Sequence, residues 1–281
     1  MKKIIATVLL CIQLLISAHF VAAQASSPDI LEIHFINVGE GSATLLKTPS
    51  NDSILIDTGN LISTPLLTDY LEDQKVHRLS TLILTHPDPD HIGGSFVITQ
   101  RLKPKKIYDN GEDLQSRFDQ SIFRWYSELV QGSANYKPLR SGARLSFAQV
   151  EIFSLWPETP LGSNLNLNSL ILSVQFGNFS LLIMGDALKE TEQKLLKKNA
   201  FSEHDLLLVG HHGSKHATTL SLLDAIKPSI AVISAKENYY ADDETLLKLK
   251  KKEIPTLITY DKGSIIAKAK KSGTFEVAFT K

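Results

Sequence analysis

The sequence predicts a domain in which two β-sheets pack face to face and helices cover their outer faces. Three observations lead there. Short, nearly all-apolar runs at residues 79–84, 181–184 and 206–209 read as strands buried on both faces. Stretches of helical periodicity alternate with these runs. The second half of the chain also repeats the style of the first, as expected if each half builds a sheet with its own helices. The pattern alone leaves α/β and α+β equally open.

In chain order, residues 31–37, 42–47 and 53–57 read as strands, with Thr48-Pro49-Ser50-Asn51 as the turn between the second and third. Residues 65–72 read as a helix capped by Ser63 or Thr64. After the strand at 79–84, one helix starts near Gly93 and another spans 114–130, followed by a turn-rich stretch at 132–140. Strands follow at 144–147, 150–155, 169–176 and 180–184, then a helix at 189–198 and the strand at 206–209. Two further helix–strand passages reach Ile233 and Thr259, and a hairpin closes the chain.

Composition narrows the class. With 281 residues, 43% of them hydrophobic and 21% charged, the chain has ample material for a core, which excludes disordered and fibrous classes. Lys+Arg and Asp+Glu are both 30, so the basic excess typical of nucleic-acid binders is missing. Two local basic clusters, Lys103/Lys105/Lys106 and Lys248/Lys250/Lys251/Lys252, read as solvated helix ends. Residues 1–25 have the layout of a secretory signal peptide: Lys2 and Lys3, an apolar run at 4–16, then Ala22, Ala23 and Ala25. Cleavage after Ala23 or Ala25 leaves a single domain over residues 26–281, secreted or periplasmic and without a membrane segment. Cys11 is the only cysteine and lies in the leader, so the mature chain has neither disulfides nor a thiolate ligand.

Three polar clusters each follow an apolar strand. The first is Thr85-His86-Pro87-Asp88-Pro89-Asp90-His91-Ile92-Gly93-Gly94. His86, Asp88, Asp90 and His91 are four potential metal ligands in six residues. The prolines stiffen the loop and the glycines permit a close turn. The plainer reading of Asp90 is a helix cap. The second cluster is Gly185-Asp186, which by itself fits an ordinary turn. The third is Gly210-His211-His212-Gly213-Ser214, where one histidine can face a metal and the other a substrate. Histidines and aspartates at strand ends suit Zn, Mn or Fe. No phosphate-binding loop ending in Lys-Ser/Thr and no Gly-x-Ser-x-Gly elbow competes.

The string His-x-Asp-x-Asp-His-x-Gly-Gly, followed by Gly-Asp and His-His-Gly-Ser, resembles the metallo-β-lactamase superfamily. More narrowly, it is similar to the hydrolase domain of ComEC-type DNA-uptake proteins and its free-standing relatives. Asn37-Val38-Gly39-Glu40-Gly41-Ser42-Ala43, Leu55-Ile56-Asp57-Thr58-Gly59, Asn168-Ser169 and Asp261-Lys262-Gly263 support the resemblance. It implies an α+β fold, a four-layer αββα sandwich, with the site along one sheet edge. It further implies that His86 and Asp88 serve a first metal position, Asp90 and His91 a second, and that Asp186 bridges them. His211 would complete the second position, and His212 would bind substrate or protonate the leaving group. Asp57 would orient the site and Asp90 would double as the base. The implied cofactor is one or two divalent metal ions, zinc or manganese.

The chain departs from the superfamily pattern in three places. Asp88 stands where most members have histidine, and Asn168 or Asn166 stands where another metal-binding histidine falls. Both changes favour harder ions such as Mn or Mg. Near the third departure Asn238 and Tyr240 match the relatives, but Asp242 and Asp243 replace His-Pro. The implied function is a metal-dependent hydrolase acting on a small-molecule or nucleic-acid phosphodiester. Two alternatives stand beside it: a hydrolase of another ester, lactone, thioester or lactam bond, and a metal-binding domain that has lost turnover.

Overall fold

A computed structural model describes residues 29–114, 121–159, 161–236 and 241–281. The expected leader at 1–25, residues 115–120 of the expected helix at 114–130, and Asn238 with Tyr240 lie outside the described residues.

The strands are β1 (Ile30–Phe35), β2 (Thr44–Lys47), β3 (Ser53–Ile56), β4 (Thr81–Ile83), β5 (Lys106–Asp109) and β6 (Tyr136–Pro138) in the first half. The second half holds β7 (Arg144–Phe147), β8 (Val150–Trp156), β9 (Ile171–Phe176), β10 (Phe179–Ile183), β11 (Leu206–Leu208), β12 (Ile230–Ile233), β13 (Thr256–Ile258), β14 (Ile265–Lys270) and β15 (Phe275–Phe279). Among the described residues these form one sheet of order β15-β14-β1-β2-β3-β4-β5-β6 and another of order β13-β12-β11-β10-β9-β8-β7. Strands β3 to β6 run parallel to one another, as do β10 to β13. The remaining pairings are antiparallel, so both sheets are mixed.

Successive side chains of a strand point to opposite faces. Here each face is buried, which explains the unbroken apolar runs. On the inner faces Leu46, Ile54 and Ile56 meet Leu181, Ile183, Leu206 and Leu208 in one cluster. On the outer face of the first sheet, Leu45, Leu55 and Leu82 pack under helices α1 (Thr64–Asp73), α3 (Ser95–Leu102) and α4 (Ser121–Tyr126). On the outer face of the second, Leu182, Leu207 and Ala231 pack under α5 (Lys189–Lys197), α6 (Leu220–Ile226) and α7 (Asp243–Lys251). The result is the four-layer αββα sandwich. Among the described residues no helix is long and apolar enough to cross a membrane.

The structure departs from the sequence expectation at three elements. Strands β5 and β6 were not expected. β5 has only two uncharged residues between Lys106 and Asp109, too few to show a period. β6 lies inside the stretch read as turns and carries Pro138, tolerated because β6 is an edge strand. The helix expected near Gly93 is preceded by a separate turn, α2 (Pro89–Ile92), which contains Asp90 and His91, two of the four potential ligands of the first polar cluster. The closing hairpin β14–β15 pairs with β1, so the end of the chain completes the sheet begun at its start.

Leu181 is fully buried between the sheets, whereas Leu247 on α7 is 63% exposed. Leu181→Ala is expected to cost about 2–5 kcal/mol, and Leu247→Ala no more than ~0.5 kcal/mol. Urea unfolding of the two variants checks this; equal costs would contradict the packing described.

Candidate metal centre

The polar clusters converge because they follow strands whose C-terminal ends lie together, the edge at which parallel sheets gather their functional loops. Asp57 follows β3, Thr85 to His91 follow β4, Asp186 follows β10, and the two histidines follow β11. Asp88 is the N-cap of α2, and its carbonyl accepts from the amides of His91 (2.9 Å) and Ile92 (3.1 Å). Pro89 fits the first turn, where its missing amide hydrogen leaves no bond unmade. The loop before β2 lies directly on this turn. Gly41 has φ +96°, and a Cβ there would sit 1.8 Å from the Asp90 carbonyl oxygen.

Asp186 is the centre of the arrangement. It is 3% exposed, and its two oxygens face different neighbours. Oδ1 lies 3.2 Å from His91 Nε2 and 3.7 Å from His212 Nε2. Oδ2 lies 3.7 Å from both His86 Nε2 and His211 Nε2. On the first side Asp88 Oδ2 is 3.5 Å from His86 Nε2. On the second, Asp90 Oδ2 is 3.2 Å from His212 Nε2 and 3.9 Å from His91 Nε2. Two groups of donor atoms therefore lie close enough to share an ion: His86, His91 and Asp186, and Asp90, His91 and His212.

The histidines are aimed by their other ring nitrogens. Asp57 Oδ2 takes His91 Nδ1 at 2.7 Å, and Asp57 is itself held by the Thr85 amide (2.7 Å) and hydroxyl (2.8 Å). His212 Nδ1 donates to the Ser234 carbonyl at 3.0 Å. His86 Nδ1 has the hydroxyls of Thr85 (3.1 Å) and Ser169 (3.3 Å). Each bond leaves an Nε2 pointing inward, the arrangement found around metal-binding histidines.

These residues fit a divalent ion. His86 Nε2 is buried without a hydrogen-bond partner, a costly state for an atom whose lone pair has no other use. Donors about 2.0–2.2 Å from a tetrahedral ion lie about 3.4 Å from one another, which matches the separations above. The charge distribution agrees. Burial opposes a proton on His91, but Asp186 and Asp57 outweigh it and hold its pKa well above the usual histidine value. Burial likewise opposes charge on His212, and Asp186 and Asp90 raise it. Burial disfavours the carboxylates of Asp90 and Asp186, yet the facing histidines keep both pKa values below the ordinary range. Burial lowers the pKa of His211, against a smaller opposing pull from Asp186.

One placement differs from the expectation. His212, not His211, joins Asp90 and His91, while His211 stands on the His86 side, 3.4 Å from Asn166 Nδ2. Both histidines adopt left-handed backbone, with φ 50° and 52°. That turn separates their rings to 6.4 Å between centroids. Of the two candidate asparagines, Asn166 reaches the site. Asn168 is turned away and bonds Glu112 Oε2 (2.9 Å) and the Gly162 carbonyl (2.9 Å).

Strained backbone of this kind persists only where the surroundings enforce it. Asp242 accepts from the Lys215 amide at 2.7 Å, and its own amide donates to the Gly213 carbonyl at 3.1 Å. The buried Glu192 accepts from the amides of Thr218 (2.5 Å) and Thr219 (2.9 Å). Asp242 thus holds the end of the histidine turn and Glu192 the segment after it, while the His211 amide ties its start to the Gly185 carbonyl at 2.9 Å, and the Asp242 departure has a structural use in this chain. Sequence reading missed Asn60 and Lys236, which line the cleft over the site with Glu40. A single asparagine or lysine after a strand gives no signal of its own.

A model of the metallo-beta-lactamase superfamily matches residues 36–235, more than half of the chain. The chain is 28% identical over 267 residues to ComE operon protein 3 of Bacillus subtilis, which covers 88% of this chain and 34% of that protein. It is 31% identical over 235 residues to Recombination protein 2 of Haemophilus influenzae, with 81% and 26% covered. Competence protein ComA of Neisseria gonorrhoeae is 28% identical over 203 residues, with 71% and 26% covered. The chain therefore spans about a third or less of the length of these relatives. In fold it is similar to the metallo-beta-lactamase fold protein YhfI from Bacillus subtilis, with a TM-score of 0.60 at 15% identity, covering 86% of this chain and all of that one.

Two outcomes are expected from this geometry. His91 and His212 have raised pKa values, so without metal they hold a proton more firmly than an ordinary histidine, whereas a ligand imidazole must be neutral. Zinc binding should therefore release protons and strengthen as pH rises. Calorimetric titration in two buffers of different ionisation enthalpy reads this, and heats independent of buffer would contradict it. Asp242→Ala should weaken metal binding by about 10-fold or more through the loosened histidine turn, while Asp242→Asn, which keeps an acceptor, should lose less. Equal affinity in all three proteins would refute the positioning role.

Proposed function

Because the chain belongs to the metallo-β-lactamase superfamily, we propose that it is a metal-dependent hydrolase of phosphodiesters, exported to the periplasm or the medium. The observation that carries this reading is the buried Asp186, whose two oxygens face separate clusters of donors. His86, Asp88 and Asp186 would hold one divalent ion, zinc or manganese, and Asp90, His91 and His212 with Asp186 would hold a second. Ions there would supply acidification of water and neutralisation of phosphoryl charge.

The chain's own residues supply the rest. Asp90 stays ionised, against the pull of burial, because His212 and His91 face it, so its carboxylate can hold the attacking water by accepting a hydrogen bond. Asp57 and Ser234 hold the rings of His91 and His212 in place. His211, kept neutral by burial, stands beside Asn166 at the other side of Asp186 and takes the role of substrate contact that sequence reading gave to His212. The carboxylate-rich first position favours harder ions than an all-histidine set. Relatives named for competence and recombination support a nucleic-acid or related phosphodiester as the substrate class.

The test is hydrolysis of bis(p-nitrophenyl) phosphate and of DNA by the purified protein with Mn or Zn. Turnover is expected with metal and should fall by about 10²–10⁴-fold in Asp90→Ala. Absence of metal-dependent turnover on both substrates, or turnover that survives in Asp90→Ala, would overturn the reading.

A further inference from the structure

The cleft above the donor clusters has a volume of about 420 Å³, and its lining is dominated by acid: Glu40, Asp88, Asp90 and Asp186. Lys236 is the one lysine or arginine among the described lining residues. Its Nζ lies 2.6 Å from Glu40 Oε2, and the same oxygen accepts from Asn60 Nδ2 at 3.1 Å. Glu40 comes from the loop before β2 in one sheet and Lys236 from the end of β12 in the other, so the pair spans the cleft between the sheets.

We propose that Lys236 is the group that recognises the negative charge of the substrate, with Glu40 as its resident counter-ion until a phosphodiester monoanion takes that place. This rests on the hydrolase reading above and names the residue that selects its substrate by charge. Three observations carry it. First, Lys236 is the one lysine or arginine among the described residues lining a cleft that also holds Glu40, Asp88, Asp90 and Asp186, so it is the side chain there whose fixed positive charge can meet a substrate anion. Second, the pair is half-exposed, with 28% of the lysine side chain and 43% of the glutamate accessible. Such a pair is weakly held and exchanges partners at little cost. Third, the backbone before Lys236 is tied to the site. The Ser234 carbonyl accepts from His212, the Ser234 hydroxyl donates to the Gly41 carbonyl at 2.9 Å, and the Ala235 amide donates to Thr259 Oγ1 at 3.1 Å. The backbone that carries Lys236 is therefore fixed two residues from a carbonyl that aims one of the site histidines. A charged donor on a substrate oxygen is among the stronger hydrogen bonds available to a binding site.

The experiment uses the full chain loaded with Mn. Inorganic phosphate is titrated calorimetrically into wild type, Lys236→Gln, Lys236→Arg and Glu40→Gln, and KM and kcat are measured on bis(p-nitrophenyl) phosphate. Lys236→Gln is expected to weaken phosphate binding and raise KM by about tenfold with kcat much less affected. Lys236→Arg should recover most of the loss, and Glu40→Gln should bind phosphate more tightly than wild type. Metal content should match in all four proteins. Unchanged phosphate affinity in both Lys236→Gln and Glu40→Gln, or a loss not recovered by arginine, would overturn the proposal. If wild type bound phosphate through Lys236 but hydrolysed no phosphodiester, the hydrolase reading would fail and the anion site would stand.

Discussion

A carboxylate buried as deeply as Asp186 must be compensated, because an isolated charge in the protein interior is far more costly than a paired one. Its compensation comes from four imidazoles, two facing each oxygen. No two adjacent loops of the chain supply all four. His86 and His91 follow a strand of one sheet, while Asp186, His211 and His212 follow strands of the other. The sandwich must therefore close for the site to exist, and the leucine and isoleucine side chains between the sheets supply the force that closes it.

That dependence explains where the strain lies. Asp57, His211 and His212 all have positive φ, a conformation that non-glycine residues avoid. Each is over-determined by its neighbours: Asp57 by two bonds to Thr85, the histidines by the bond of the His211 amide to the Gly185 carbonyl at the start of their turn and by Asp242 at its end. The loop before β2 fits over α2 only because Gly41 has no side chain. Rigid loops over a buried charge make a preformed site, which suits chemistry that relies on fixed electrostatics.

Much of this was legible in the sequence, for identifiable reasons. The apolar runs at β4, β10 and β11 are buried on both faces, so they stand out without any alternation. The polar residues that follow them stand out by contrast. The first cluster packs four potential ligands into six residues and was readable on chemistry alone. What could not be read depends on long-range geometry. Whether His211 or His212 meets Asp90 is decided by a left-handed turn that the string Gly-His-His-Gly does not encode. The engagement of Asn168 with Glu112 joins residues far apart in the chain. β5 and β6 are too short and too polar to carry a period; β5 pairs along the edge of β4, and β6 in turn along the edge of β5. The Glu40–Lys236 pair joins lone residues on opposite sheets.

The central claim is that Asp186 joins two ion-binding clusters into one centre. The most direct measurement is the metal content of the purified protein after loading with Mn or Zn and dialysis, wild type beside the near-isosteric Asp186→Asn. The account predicts about two ions per wild-type chain and loss of ions from both positions in the variant. No retained metal in wild type, or the same content in both proteins, would contradict it.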